Sequence, residues 1–220
     1  MDSEYNSVLN LLGGKPDGIF ANSTTEVSLR RCGIGKVNAA VGTMRLIADV
    51  HPDCIISTGL AGGIGEGVKV WDVVVAAQTA YHDVFCGMGC EEGQVQGLPT
   101  RFEGDKNLVD HAMACRHGID GDVTFWKGLT CTGDQFITAK EPVREILRKF
   151  PDALACDMES AAIAHVCHLS NVPFLSIRTV SDTPLTTNDH ALQWEESLKV
   201  MSARSFDIVS NFLLSLPEKF

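Results

Sequence analysis

Residues 155–184 read ACDMESAAIAHVCHLSNVPFLSIRTVSDTP. The pattern predicts one helix followed by one strand, with an acid at the helix start and another at the strand end. Asp157-Met158-Glu159 opens a run of small and apolar residues, Ala161, Ala162, Ile163, Ala164, Val166 and Cys167. Asn171-Val172-Pro173 ends that helix, because proline pushes the residue before it out of the α region. Phe174 to Val180 then reads as a buried strand, stopped at Ser181-Asp182-Thr183-Pro184. An acid just past the carboxyl end of a buried strand lies where open α/β sheets bind ligands.

The chain on either side repeats that alternation. Residues 1–13 predict an amphipathic helix, followed by a turn cluster at Gly13–Gly18. Glu26–Cys32 alternates as a strand with one wetter face. Gly33-Ile34-Gly35-Lys36 leads into a helix from Val37 to Val50. Cys54–Ser57 is a short buried strand and Thr58–Gly65 a glycine-rich turn. Val73–Ala77 marks another buried strand within Asp72–Tyr81. Residues 82–103 read as a long irregular loop. A helix is expected over 105–117, a strand over Val123–Cys131 and a loop at Thr132–Phe136. Lys140–Lys149 is a helix closed by Phe150-Pro151, and a long terminal helix covers roughly 190–214. Strands alternating with helices imply one α/β domain spanning 1–220, with a mostly parallel sheet covered on both faces.

Composition narrows the function. The 220 residues are 45% hydrophobic and 21% charged, which is ample for a globular core. A net charge of -10 repels nucleic acid and anionic membrane, so neither is expected as a partner. No apolar run approaches the roughly 18 residues that span a bilayer. The amino end lacks the basic and apolar regions of a signal peptide. Eight cysteines contain no CxxC pair, and several lie in apolar segments. A reduced, cytoplasmic protein is expected.

Three features carry candidate chemistry. The glycines of Thr58–Gly65 do not fit GxGxxG, and a strand rather than a helix follows, so they mark either a structural turn or a close approach to a ligand. His82, Cys86 and Cys90 are spaced by four, but the intervening glycines break any aligning helix and no second ligand pair appears, so no metal is expected. Tyr81-His82-Asp83 instead suits a packing or ligand-contacting loop. Glu159 and Asp182 form the sharper pair. Helix capping and turn formation are their ordinary explanations. As a catalytic pair, a site with several acids separates their pKa values, so that one donates a proton while another stays charged.

Taken together, Gly33-Ile34-Gly35-Lys36-Val37, Thr58-Gly59-Leu60-Ala61-Gly62-Gly63, Tyr81-His82-Asp83, Gly133-Asp134-Gln135-Phe136-Ile137, Asp157-Met158-Glu159 and Arg178-Thr179-Val180-Ser181-Asp182 make the chain resemble the 5′-methylthioadenosine/S-adenosylhomocysteine nucleosidases of the nucleoside phosphorylase superfamily. The resemblance covers nearly the whole chain. It implies a three-layer α/β/α sandwich around a mixed, partly closed sheet, usually in a homodimer. It also implies hydrolysis of the bond between adenine and a 5′-thio-substituted ribose, a step of methionine salvage, with no metal or cofactor.

Carried onto this sequence, the resemblance makes Asp182 the general acid at adenine N7 and Glu4, from Met1-Asp2-Ser3-Glu4, the acid that activates water. Arg178 would position that water. Glu159 would hold the ribose hydroxyls, with Met158 against the sugar. Phe136 would stack on adenine and the Ile137 backbone would bond its edge. Ala61, Gly62 and Ser181 would complete the substrate site. Two departures stand out. The family's apolar first strand, which leads into the Met-x-x-Glu segment, is absent here, so the fold is expected to lack it. Leu60 stands where bacterial relatives commonly carry a serine near the water.

Competing readings are a phosphate-dependent phosphorylase, a futalosine hydrolase and a non-catalytic nucleoside-binding protein. Phosphorylases often place an arginine just before the glycine-rich turn. Ile55-Ile56-Ser57 occupies that place here, which favours water as nucleophile.

Overall fold

Strand-forming β-branched runs and small-residue helices alternate along the chain, and their pairing decides where the loops gather. The computed structural model describes residues 2–19, 25–118, 123–186 and 208–216. Among these, the order is α1 (Asp2–Leu11), β1 (Asp17–Ile19), β2 (Glu26–Ser28), α2 (Lys36–Val50), β3 (Ile55–Gly63), β4 (Val73–Tyr81), β5 (Arg101–Glu103), α3 (Lys106–Ala114), β6 (Phe125–Thr132), α4 (Lys140–Lys149), β7 (Ala153–Asp157), α5 (Ser160–Ser170) and β8 (Phe174–Asp182). A last helix, α6, covers 208–215. The expected terminal helix over 190–214 otherwise lies largely outside the described residues.

The sheet is mixed. β3 runs parallel to β8, and β6 runs parallel to both β4 and β7. β3 meets β7 antiparallel, and β4 meets both β5 and β8 antiparallel. The β4–β8 pairing closes a ring in the order β4-β6-β7-β3-β8, with β5 outside it. A mostly parallel sheet was the expectation from alternation alone. The mixed, partly closed sheet implied by the family resemblance is the one observed. Alternation of strands and helices reports crossovers, and it is silent on the antiparallel contacts that strand twist brings together at a closing seam.

Each helix buries an apolar stripe on this sheet. α3 and α6 cover β4 and β8 through Leu108, Val109, Val209 and Phe212 against Val73, Val75, Leu175 and Ile177. α2 and α5 pack through Ala39, Ala161, Ala164 and Cys167 against Ile55 and Phe174. α4 presents Val143 and Ile146 to Leu129, Cys131 and Ala153. Residues on alternate faces of the same strands, among them Ala61, Val74, Ala155 and Val180, pack together with Val68.

Local signals explain several boundaries. Asn171 takes a left-handed conformation and its amide bonds the Cys167 and His168 carbonyls, so α5 ends where Asn-Val-Pro predicts. Asp105 caps α3 by accepting the amides of Asn107 and Leu108. α4 carries Glu141 in its first turn and Arg148 and Lys149 in its last, matching the helix dipole.

Five boundaries differ from expectation. The glycine-rich turn at Thr58–Gly65 is mostly strand, because β3 continues to Gly63 with β8 alongside. Ala155–Asp157 belongs to β7 rather than to the start of the following helix, and Glu159 is the N-cap residue. Asp182 is the last residue of β8 rather than lying past it. The loop over 82–103 contains the short strand β5, and the expected strand over Glu26–Cys32 pairs only at Glu26–Ser28. The glycine- and alanine-rich segments among these are misread because both residues have weak strand propensity, which adjoining strands override: β8 alongside Thr58–Ala61, and β6 and β3 flanking β7. Among the described residues, no strand precedes α1 and none pairs with the β3 edge opposite β8 from Ile55 to Ala61.

Candidate active site

The ends of β3, β7 and β8 converge on a cavity of about 490 Å³. The start of α2, the loop after β6 and α1 close it. Every residue expected at the site lines this cavity: Glu4, Ala61, Gly62, Phe136, Ile137, Met158, Glu159, Arg178, Ser181 and Asp182. Glu4 and Asp182 come from opposite ends of the described chain, so only the fold unites them.

Arg178 is the buried cation at the centre, 4% exposed. Its Nε lies 2.8 Å from Asp157 Oδ2 and 3.1 Å from Ser160 Oγ. Its Nη2 donates to Ser57 Oγ at 3.1 Å and lies 3.9 Å from Glu159 Oε2. Burial works against the guanidinium charge, but Asp157, Glu159 and Glu4 outweigh it and hold the Arg178 pKa above its ordinary value. Asp157 is held in turn by Thr132 Oγ1 at 2.6 Å, by the Ser160 amide at 3.2 Å and by the Ser160 hydroxyl. Reading the sequence missed this role. Glu159 stands two positions on in the same motif, and no spacing distinguishes a counter-ion from a neighbouring acid.

Glu4 Oε1 accepts the Leu60 amide at 3.0 Å. The Leu60 side chain offers no hydrogen bond, but its backbone orients the acid. At Gly59 a Cβ would lie 2.5 Å from Arg178 Nη1 and 3.0 Å from Glu4 Oε1. This glycine is therefore required by close approach of the protein's own charged side chains, a reason distinct from both the turn and the ligand approach expected of the glycine-rich segment.

Glu159 is not used as a side-chain cap, since its carboxylate accepts the Gly35 amide at 3.0 Å instead. Burial raises its pKa above 4.5, against the opposing pull of Arg178 and the Gly35 amide. Asp182 is 3% exposed, with Ser181 Oγ 2.6 Å from its Oδ1 and 3.3 Å from the Ala61 carbonyl. Phe136 is 54% exposed at the mouth, whereas Ile137 is buried beside it. His82 is buried and Cys86 exposed. Among the described residues no group of three His, Cys, Asp or Glu side chains could hold a metal ion.

A closed α/β ring with acids gathered at its strand ends has clear counterparts. The sequence profile described as Phosphorylase superfamily matches residues 17–214. The 5′-methylthioadenosine/S-adenosylhomocysteine nucleosidase of Desulfotalea psychrophila is 38% identical over 194 residues, covering 88% of this chain and 82% of the relative. The crystal structure of the nucleosidase of that name from Neisseria meningitidis, in complex with methylthio-immucillin-A, superposes with a TM-score of 0.89 at 36% identity, covering 98% of this chain and 96% of that one. The Colwellia psychrerythraea nucleosidase, in complex with adenine, gives a TM-score of 0.92 at 31% identity, over 100% of this chain and 94% of that one. The chain belongs to the 5′-methylthioadenosine/S-adenosylhomocysteine nucleosidase family of the phosphorylase superfamily.

Proposed function

We propose that this chain hydrolyses the N-glycosidic bond of 5′-methylthioadenosine and S-adenosylhomocysteine, releasing adenine and a 5-thio-substituted ribose. The observation that carries this reading is the convergence of Glu4, Glu159 and Asp182 on one cavity around the buried Arg178. Its volume suits a nucleoside-sized ligand.

The residues divide the chemistry among them. Asp182, protonated, gives its proton to adenine N7. The C1′–N9 bonding pair then leaves with the base, and the ribose becomes oxocarbenium-like. Water adds its oxygen to C1′ while Glu4 takes the released proton. Arg178, anchored by Asp157, positions that water. Glu159 accepts hydrogen bonds from the ribose hydroxyls and Met158 packs against the sugar. Phe136 stacks on the base, and the Ile137 backbone bonds its edge. Ala61 and Gly62 leave room for the ligand, and Ser181 orients Asp182. General acid and base help typically contribute about 10²–10⁴-fold each.

The active form in this reading is a homodimer. α2 carries an exposed apolar stripe at helical spacing, Val37, Val41 and Met44, which Ile34 extends just ahead of the helix, and Phe136 is exposed as well. A cytoplasmic location is supported by all eight cysteines being unpaired.

The deciding experiment is a product assay on methylthioadenosine, adenosylhomocysteine, 5′-deoxyadenosine and futalosine, with and without phosphate. The expected result is adenine and the free 5-thioribose, at a rate independent of phosphate. A rate that requires phosphate, with a ribose 1-phosphate product, would make the chain a phosphorylase. Binding without any product would make it a nucleoside-binding protein.

A further inference from the structure

Lys36 begins α2 and is absent from the chemistry above. Its ammonium lies 2.8 Å from both carboxylate oxygens of Asp83 and 3.7 Å from Asp134 Oδ2. Asp134 Oδ1 accepts the Lys36 amide at 2.8 Å, and the Asp134 amide donates to Asp83 Oδ2 at 2.9 Å. The ammonium also sits 5.4 Å from the centre of the Tyr81 ring. One knot therefore ties together the start of α2, the end of β4 and the loop after β6.

Two site residues depend on that knot. Asp134 stands two positions before Phe136, in the same loop. Gly35, one position before Lys36, donates its amide to Glu159 Oε1 at 3.0 Å. Gly35 has φ +88°, and a Cβ there would lie 2.9 Å from Asp134 Oδ1. The seating of the loop on the helix start thus needs glycine both for backbone conformation and for room. The Lys36 and Asp83 side chains are 22% and 23% exposed, so their attraction is partly shielded from solvent. Burial alone would push Asp83 up, but the Lys36 ammonium and the Asp134 amide outweigh it and hold its pKa below 3.8. Asp83 is therefore ionised near neutrality.

We propose that Lys36, Asp83 and Asp134 are positioning residues for the nucleoside: they lock the Phe136 loop onto the start of α2, so that the base-stacking ring and the sugar-holding Glu159 keep one spacing. The identity of the ligand rests on the nucleosidase reading above. A purely structural triad would affect stability and leave affinity unchanged.

The test measures adenine binding by calorimetry, together with KM and kcat for methylthioadenosine and the melting temperature. It compares the wild type with Lys36→Met, Lys36→Arg and Asp134→Ala. Lys36→Met and Asp134→Ala are expected to raise the adenine Kd and the KM about fivefold, with a smaller change in kcat, and Lys36→Arg to restore most of the loss. Raising salt from about 0.05 to 0.5 M should weaken adenine binding by the wild type and leave Lys36→Met unchanged. An unchanged Kd in variants with a lowered melting temperature would overturn the proposal, as would equal salt dependence in wild type and Lys36→Met. If Lys36→Met does not fold, Asp134→Ala decides. If the wild type binds adenine but releases none from methylthioadenosine, the nucleosidase reading fails while the Kd comparison still decides this one. No adenine binding by the wild type would overturn both.

Discussion

Glu159 shows how one side chain can carry a stability signature and a ligand role together. Burial raises its pKa above 4.5, so the folded state holds that proton more tightly than the unfolded chain. The stability it contributes is fully present below pH 4.5 and is lost as pH rises through the raised folded value. Glu159→Gln, neutral throughout, keeps an acceptor for the Gly35 amide and removes the charge. Melting curves should show it more stable than the parent near neutrality, with the gap closing in acid, while its affinity for nucleoside falls. A gap independent of pH would mean that burial does not govern this carboxylate. At this scale the lining of the cavity was largely legible. Glu4, Phe136, Glu159, Arg178 and Asp182 stand in short motifs whose order survives in a linear sequence. Asp157 was not legible, because its partner Arg178 lies on another strand and nothing in local spacing reports a buried ion pair.

At the scale of elements, β3 and β7 were the hard cases. Lys140–Lys149 announces a helix by its periodicity alone and forms over those residues. By contrast, Ala153–Asp157 and Thr58–Gly63 become strands because β6 and β3 flank the first, and β8 along its length with β7 at its end holds the second, supplying hydrogen bonds that their own propensity would not secure. The glycine at 59 reports what lies across from it. Gly59→Ala should cost roughly 1–3 kcal/mol of stability and most of the activity, because the new methyl would displace Arg178 or Glu4. A fully active Gly59→Ala enzyme would contradict the close packing of those charges. The β3 edge over Ile55–Ala61 makes a second prediction. A short apolar strand fused ahead of Met1 should pair there and raise the melting temperature, since each 1 kcal/mol gained shifts it by about 2–4 °C in a chain of this size. An unchanged melting temperature would show that this edge needs no partner.

For the whole molecule, the stripe on α2 is an exposed apolar surface, among the described residues, that the proposed homodimer would cover. Val37 is 73% exposed and Met44 49%, on the same helix whose first residues reach Glu159 and Asp134. A second copy seated there would bury the stripe beside the cavity mouth and steady Phe136. If the proposed homodimer forms through this stripe, the parent protein sediments as a dimer and Val37→Glu should shift it to monomer, with weaker nucleoside binding. A Val37→Glu protein that stays dimeric would place the interface elsewhere. The net charge of -10 reads plainly from composition, whereas the closing of the ring does not. That closure depends on β4 meeting β8, a contact between strands separated by six elements of the chain.

The whole account is tested by adenine release from methylthioadenosine in phosphate-free buffer, comparing the wild type with a folded Asp182→Asn variant. The wild type should release adenine steadily. The variant should lose about 10²–10⁴-fold in rate, because asparagine has no carboxyl proton to give to N7. Near-normal release by Asp182→Asn would contradict the assignment of the general acid, and no release by the wild type would contradict the hydrolytic function itself.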